Sequence, residues 1–192
     1  MPYMKVGTNL LFDNTTGDVV GMRDPDGSDL YFARAPYTGA WFDLSDQPCS
    51  ANTATAMEFD TKDFAFGISV VSNTRITFPR TSVYNVQFSA QFKNVNNSSE
   101  QNISVWLAKG GSNLANTNTE LTIPKKHGGG DGLLVAAWNF FVSVNAGEYV
   151  EIYWSSPSAD VSIEYKAEQV SPARPATPSV ILTVNEVDGN NI

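Results

Sequence analysis

His127 is the only histidine of the chain and Cys49 its only cysteine, so the two side chains best suited to acid–base and nucleophilic work near neutral pH occur once each. His127 sits in Lys125-Lys126-His127-Gly128-Gly129-Gly130-Asp131. A Ser-His-Asp triad would need a serine presented on a sharp nucleophile elbow, and no such motif accompanies the histidine. The glycines follow the lysines and no Gly-Lys-Ser/Thr comes after them, so the run is not a phosphate-cradling loop. It reads as a loop at the end of a β-structure. One cysteine excludes an intrachain disulfide framework, and one Cys with one His makes no zinc cage.

Asp24, Asp26 and Asp29 surround Gly27 and offer oxygen ligands of the kind calcium takes. The twelve-residue spacing of a calcium loop and its terminal glutamate are missing, so the segment is expected to be an Asp-Gly turn. Glycoside hydrolysis needs two carboxylates at a defined separation, and no spacing singles out a pair among the twenty acids. The expectation is a protein that is not an enzyme and carries no catalytic, metal-binding or cofactor-binding residues, and no cofactor. A glycan hydrolase is the enzyme-class alternative, decided by activity on bacterial polysaccharide.

The formal net charge is −8, which argues against a nucleic-acid partner, because phosphate contacts need clustered Lys and Arg. The acidity is uneven: residues 1–63 hold four basic and ten acidic groups, residues 64–192 eight and ten. Charged residues make up only 17% of the chain, and Asn, Ser, Thr and Gly take their place. That is the composition of strands joined by uncharged turns, and of surfaces that meet other proteins. No apolar run approaches the roughly 20 residues of a membrane-spanning helix, and Met1-Pro2-Tyr3-Met4-Lys5 lacks the apolar core of a signal peptide. Synthesis in a reducing cytoplasm and no membrane partner are expected.

Whatever does the work must be positioned by strands. Tyr84, Val86, Phe88, Ala90 and Phe92 alternate with Asn85, Gln87, Ser89 and Gln91, the pattern of a strand with one buried face. Ile103, Val105 and Leu107 repeat it, as do Val150, Ile152 and Trp154, then Val161, Ile163 and Tyr165, then Val180, Leu182 and Val184. On this parity Trp106 points away from the core, where it is expected either as a contact anchor, as exposed aromatic side chains often are, or under a loop folded over it.

Residues 133–144 differ. Leu134, Ala136, Trp138, Phe140, Val142 and Val144 fall on one face, while Leu133, Val135, Ala137 and Phe141 make the other apolar too. A strand apolar on both faces is usually covered on both. A single sandwich covers one, so the second cover is expected from another subunit. Val135, Ala137 and Phe141, with Ile181 on the last strand, are the expected subunit-interface residues.

The first third has a different grammar. Leu10-Leu11-Phe12 and Asp18-Val19-Val20-Gly21 flank Asn14-Thr15-Thr16-Gly17 as a short hairpin. Asp24-Pro25-Asp26-Gly27 is a turn, and Leu30-Tyr31-Phe32 resumes an extended path. Residues 1–45 are expected to be an extended arm or hairpin for attachment, with Leu11, Phe12, Tyr31 and Phe32 as its gripping residues; the alternative is that they fold back as extra strands on the jelly roll. Residues 46–192 are expected to be an all-β, two-sheet antiparallel jelly-roll sandwich.

From about residue 55 onward the strand order resembles the jelly roll of tumour necrosis factor and of complement-type globular heads. Ile76-Thr77-Phe78-Pro79 through Val83-Tyr84-Asn85-Val86-Gln87-Phe88 is similar to that family's Phe-x-Pro…Gly-x-Tyr-x-Phe segment, with Ser82-Val83 replacing the glycine. Val105-Trp106-Leu107-Ala108-Lys109-Gly110 resembles its Val-x-Leu-x-Lys-Asn-Gly hairpin, with Gly110 in the Asn place. Val144-Asn145-Ala146-Gly147-Glu148-Tyr149-Val150 resembles its Leu-x-x-Gly-Asp-x-Val turn. Without a collagen-like stalk or secretory signal, an animal extracellular ligand is not expected. The run from Asn102 to Val187, and the arm from Leu11 to Gly21, look more like small virion proteins of tailed bacteriophages. That resemblance implies a homotrimer located in the virion, on the capsid surface. The expected function is a trimeric capsid decoration (cement) protein stabilising the shell, with itself and the major capsid protein as partners. A receptor-binding knob of a tail or head fibre is the alternative, and copy number per virion separates the two.

Overall fold

The structure is a computed structural model that describes residues 35–187 in full, and the backbone alone of Leu10–Phe12, Val19–Arg23 and Asp29–Tyr31. Those three short runs are β1, β2 and β3, an antiparallel sheet of their own in the order β1-β2-β3. The expected hairpin is present: Leu10 pairs with Met22 and Leu11 with Gly21, and Gly21 pairs in turn with Tyr31.

The remaining strands in chain order are β4 (Thr38–Asp43), β5 (Gln47–Pro48), β6 (Thr55–Ala56), β7 (Thr61–Phe66), β8 (Ser69–Val71), β9 (Arg75–Thr77) and β10 (Ser82–Asn94). They continue as β11 (Gln101–Lys109), β12 (Ser112–Asn113), β13 (Thr119–Ile123), β14 (Gly132–Val144) and β15 (Tyr149–Ser155). The chain closes through β16 (Val161–Ile163), β17 (Gln169–Val170), β18 (Ala173–Arg174) and β19 (Val180–Glu186). No helix occurs among the described residues. The fold is all-β and antiparallel, with two curled sheets in a jelly-roll-like sandwich.

The first sheet runs β5-β16-β10-β19-β4-β7, and β14 pairs with the other edge of β10. β10 organises it because its period-two pattern is unbroken: even-numbered residues from Ser82 to Asn94 are buried and odd-numbered ones lie outward. All thirteen of its residues pair with β14, from Ser82↔Val144 to Asn94↔Gly132. Its opposite edge is shared, with β19 covering Tyr84–Ala90 and β16 covering Phe92–Asn94. The gap between them is closed by the Gln91 amide donating to the Ser179 carbonyl and the Glu164 amide donating to that of Gln91. The second sheet runs β12-β11-β15-β9-β8, with β13 against β11 and β6 against β15.

The inner faces meet in one apolar core. Phe92 and Trp154 make an edge-to-face contact at 5.3 Å, and Phe78 and Tyr84 lie 4.5 Å apart. Such pairs add about 0.5–1.5 kcal/mol beyond the area they bury. Ile103, Val105, Leu107, Val150, Ile152, Val180, Leu182 and Val184 all point inward, as their spacing predicts. Tyr165 departs from the pattern: β16 stops at Ile163, and the Tyr165 amide donates to Asp46 Oδ1 instead of a ladder partner.

The boundary expected at residue 45 is corrected by β4. Thr38–Asp43 pairs along its length with β19 and on its other edge with β7, so it is an inner strand of the sandwich. Trp41 is 4% exposed in the core, its ring laid over Gly39, where any added Cβ would come within 2.6 Å of it. The sandwich begins at Tyr37. The Tyr37 amide donates to Glu186 Oε2 at 2.9 Å, and the Glu186 amide donates back to the Tyr37 carbonyl. Arg80 Nη2 reaches the same carboxylate oxygen at 3.0 Å, and its guanidinium lies 4.1 Å from the centre of the Tyr37 ring.

Candidate functional site

The outward positions of β14, β10, β19 and β4 form one continuous surface, because residues opposite one another in an antiparallel pair share a face. The register sets its composition row by row. Ala137, Ser89, Ile181 and Phe42 lie side by side across four strands. One row along lie Asn139, Gln87, Thr183, Ala40 and Phe64, and beyond them Phe141, Asn85, Asn185, Thr38 and Phe66. In the other direction Val135 flanks Gln91 and Leu133 flanks Lys93.

Large apolar side chains are exposed throughout: Phe141 is 64% accessible, Val135 56%, Phe64 50% and Ile181 43%. Among the outward residues of these four strands Lys93 carries the only charge, and it is held by Glu164 at 3.1 Å. Between the apolar groups stand amides and hydroxyls, two of them already paired as Asn139 Nδ2 donating to Asn85 Oδ1 at 3.1 Å. A surface of this kind can bury apolar area without desolvating an unpaired charge.

The four residues expected at the subunit interface therefore share one exposed face. Ala137 and Ile181 stand on either side of Ser89, with Val135 and Phe141 further along β14 in opposite directions. Phe64 and Phe66 enlarge the face and were not anticipated. The alternation Phe64-Ala65-Phe66 was available as a signal, but the register shift between Ala40 and Trp41 breaks the pairing of β7 into irregular pieces.

Of the expected gripping residues, Leu11 and Tyr31 occupy one row of the β1–β3 sheet on either side of Gly21. Phe12 pairs with Val19 after an irregularity. Phe32 lies outside the described residues, as do Asp24 and Asp26, while Asp29 opens β3.

The residues with chemistry are scattered. His127 is exposed in a two-residue turn closed by reciprocal backbone bonds with Gly130. Gly128 and Gly129 take φ of 58° and 89°, the left-handed values such a turn requires, which accounts for the glycine run. Cys49 is half-buried, its Sγ 3.4 Å from the Val161 carbonyl, and burial pushes its thiol above the ordinary range. That disfavours the reactive thiolate. No three His, Cys, Asp or Glu side chains among the described residues come together as a metal-binding group. Compared with known proteins, the chain matches no protein-family model and no curated sequence.

Trp106 points outward from β11, as its parity predicts. Its Nε1 donates to Asn113 Oδ1 at 2.8 Å, and its ring stands 5.9 Å from that of Tyr153 on β15, within 18° of parallel.

Proposed function

We propose that the chain is a trimeric decoration protein of a tailed-bacteriophage capsid. In this reading the outer face of the first sheet packs against neighbouring copies, and the segment before Tyr37 grips the major capsid protein. The observation that carries the reading is the exposed, nearly uncharged apolar face at Leu133, Val135, Ala137, Phe141, Ile181, Phe64 and Phe66. Soluble monomers rarely expose contiguous apolar patches beyond roughly a few hundred Å². The resemblance to trimeric jelly rolls is supported by turns that fall where the quoted motifs require them. Gly110 follows β11 with φ 59°, and Gly147, with φ 82°, lies between β14 and β15. The acid excess of the N-terminal third suits a basic patch on the shell.

Deleting residues 1–35 stops short of the Tyr37–Glu186 clamp. The truncated protein is expected to remain a folded, soluble trimer that no longer sediments with purified shells. The intact protein should bind them less well as salt rises, since exposed charge contacts are screened. A truncated protein that bound shells normally would place attachment on the sandwich and favour a receptor-binding knob.

A further inference from the structure

The second sheet also has an outward face, and it is built differently. Two clefts open there, of about 470 Å³ and 510 Å³, and Ser104, Trp106 and Ser155 line both. They form one trough with the indole at its middle. One end is walled by Asn52, Asn102 and Glu120, the other by Asn113, Asn116 and Asn118. Each half lies within the roughly 300–1,000 Å³ typical of small-ligand sites. We propose that this trough binds a neutral oligosaccharide, with one sugar ring laid against Trp106 and its hydroxyls bonded by the flanking amides, hydroxyls and carboxylate.

The chemistry of the lining selects that ligand. No Lys, Arg or His lines either cleft and Glu120 is the only charge, so a phosphate, sulfate or nucleic acid finds no counter-charge there. Apolar lining beyond Trp106 is limited to Ala54, Ile103, Leu114, Ala115 and Pro157, of which Ile103 is 1% exposed within the core, so an acyl chain or apolar peptide anchor gains little. A sugar ring presents C–H groups on one side and hydroxyls that both donate and accept around its rim. The negative face of an indole suits the first. Amides, which donate and accept at once, suit the second.

The groups are also free and held in place. Ser104, Asn118, Glu120 and Ser155 make no side-chain hydrogen bond to any described residue, so their polar atoms remain for a ligand. Register sets Glu120, Ser104 and Ser155 in one row across β13, β11 and β15, beside the row of Trp106 and Tyr153. The indole is fixed by Asn113, which lowers the entropy lost on binding. The 114–118 loop is pinned by Thr117, whose Oγ1 donates to the Leu114 carbonyl and accepts from the Leu107 amide. This site stands on its own geometry and does not depend on the capsid reading.

The test is titration of the full chain with maltohexaose, cellohexaose, chitotetraose and a mannan oligosaccharide, with a hyaluronan oligomer as the charged control. Nitrogen–proton NMR resolves the four tryptophan indoles. At least one neutral sugar should bind and should move the Trp106 indole signal while leaving the buried Trp41 and Trp154 in place. Trp106→Ala should raise its Kd about tenfold or more with the melting temperature nearly unchanged. Asn118→Ala and Glu120→Gln, both exposed, should each weaken binding and guard against misfolding of the first variant. Absence of binding by every neutral sugar at low millimolar concentration overturns the proposal. So does binding that survives all three substitutions, a preference for hyaluronan, or a trough occupied only by a protein partner.

Discussion

The two outward faces of the sandwich are made by the same rule and end with opposite chemistry. On both, every second residue of a strand looks away from the core. On the first sheet those residues are Phe, Val, Leu, Ile and Ala among amides and hydroxyls, with Lys93, held by Glu164, the one charge on β14, β10, β19 and β4. On the second, Asn, Ser and Glu side chains surround the Trp106 indole in a trough, with Tyr153 stacked beside it and Tyr149 and Arg75 further along the face. A broad apolar surface gains free energy by excluding water over area, without directional demands. A trough ringed by amides and hydroxyls around an aromatic ring gains it through oriented hydrogen bonds, which select a shape. The proposed assembly surface therefore falls on the first sheet and the proposed recognition site on the second.

Placing a charge on each face is the harshest way to break that comparison. Phe141→Asp should dissociate the proposed trimer in sedimentation velocity, since a carboxylate buried between subunits without a partner costs several kcal/mol. The monomer should still fold, because Phe141 is 64% exposed within it. Trp106→Asp should leave the sedimentation coefficient unchanged. A stable monomer of the unaltered chain at micromolar concentration would remove the assembly half of the comparison.

Each sheet also holds a buried carboxylate beside an arginine, and the two should respond unequally. Arg80→Met leaves Glu186, whose side chain is fully buried, without its 3.0 Å partner. The expected cost is about 3–5 kcal/mol, read as a fall in melting temperature of roughly 10 °C. Tyrosine ionisation sharpens the contrast more gently. Tyr84, in the first sheet, is pushed up to about 12 by burial, with Glu186 adding to the shift. Burial also raises Tyr153 in the second sheet, with Glu151 beside it. Because the folded state holds the Tyr84 proton more tightly than the unfolded chain, its stabilisation is complete below pH 10 and is lost as pH rises toward about 12. In an absorbance titration at high pH Tyr84 should ionise with the unfolding transition. The smallest effect belongs to Arg75→Ala. Arg75 stands 3.8 Å from Glu151 and its side chain is 49% exposed, while Thr74 Oγ1 donates to the same carboxylate at 2.8 Å. About 1 kcal/mol or less is expected, measured by chemical denaturation.

Local pattern carried most of the fold. Alternation over Tyr84–Phe92 and Val180–Val184 placed their inward residues, and the doubly apolar run at 133–144 marked the exposed face before any strand was paired. What escaped was long-range. β4 reads as part of an arm because Gly39, Ala40 and the adjacent Trp41 and Phe42 blur its alternation, and its partner β19 lies about 140 residues further along. The Trp106 trough escaped for the same reason. Parity alone put the indole outside, but the walls come from segments around residues 52, 102, 116 and 156, joined by the pairing of β11 with β12, β13 and β15 and of β15 with β6.

The Tyr37–Glu186 clamp has a mechanical consequence. Any tension on the chain before Tyr37 enters the sandwich at the start of β4, which is flanked on both edges by β19 and β7. Pulled along its own axis, that strand loads both ladders in shear, so their hydrogen bonds must rupture together rather than in succession. β14, bonded within its sheet to β10 alone, would peel from its free edge one pair at a time. A tether at the N-terminal side thus meets a strand held along both edges, whereas one at β14 would meet a strand held along one.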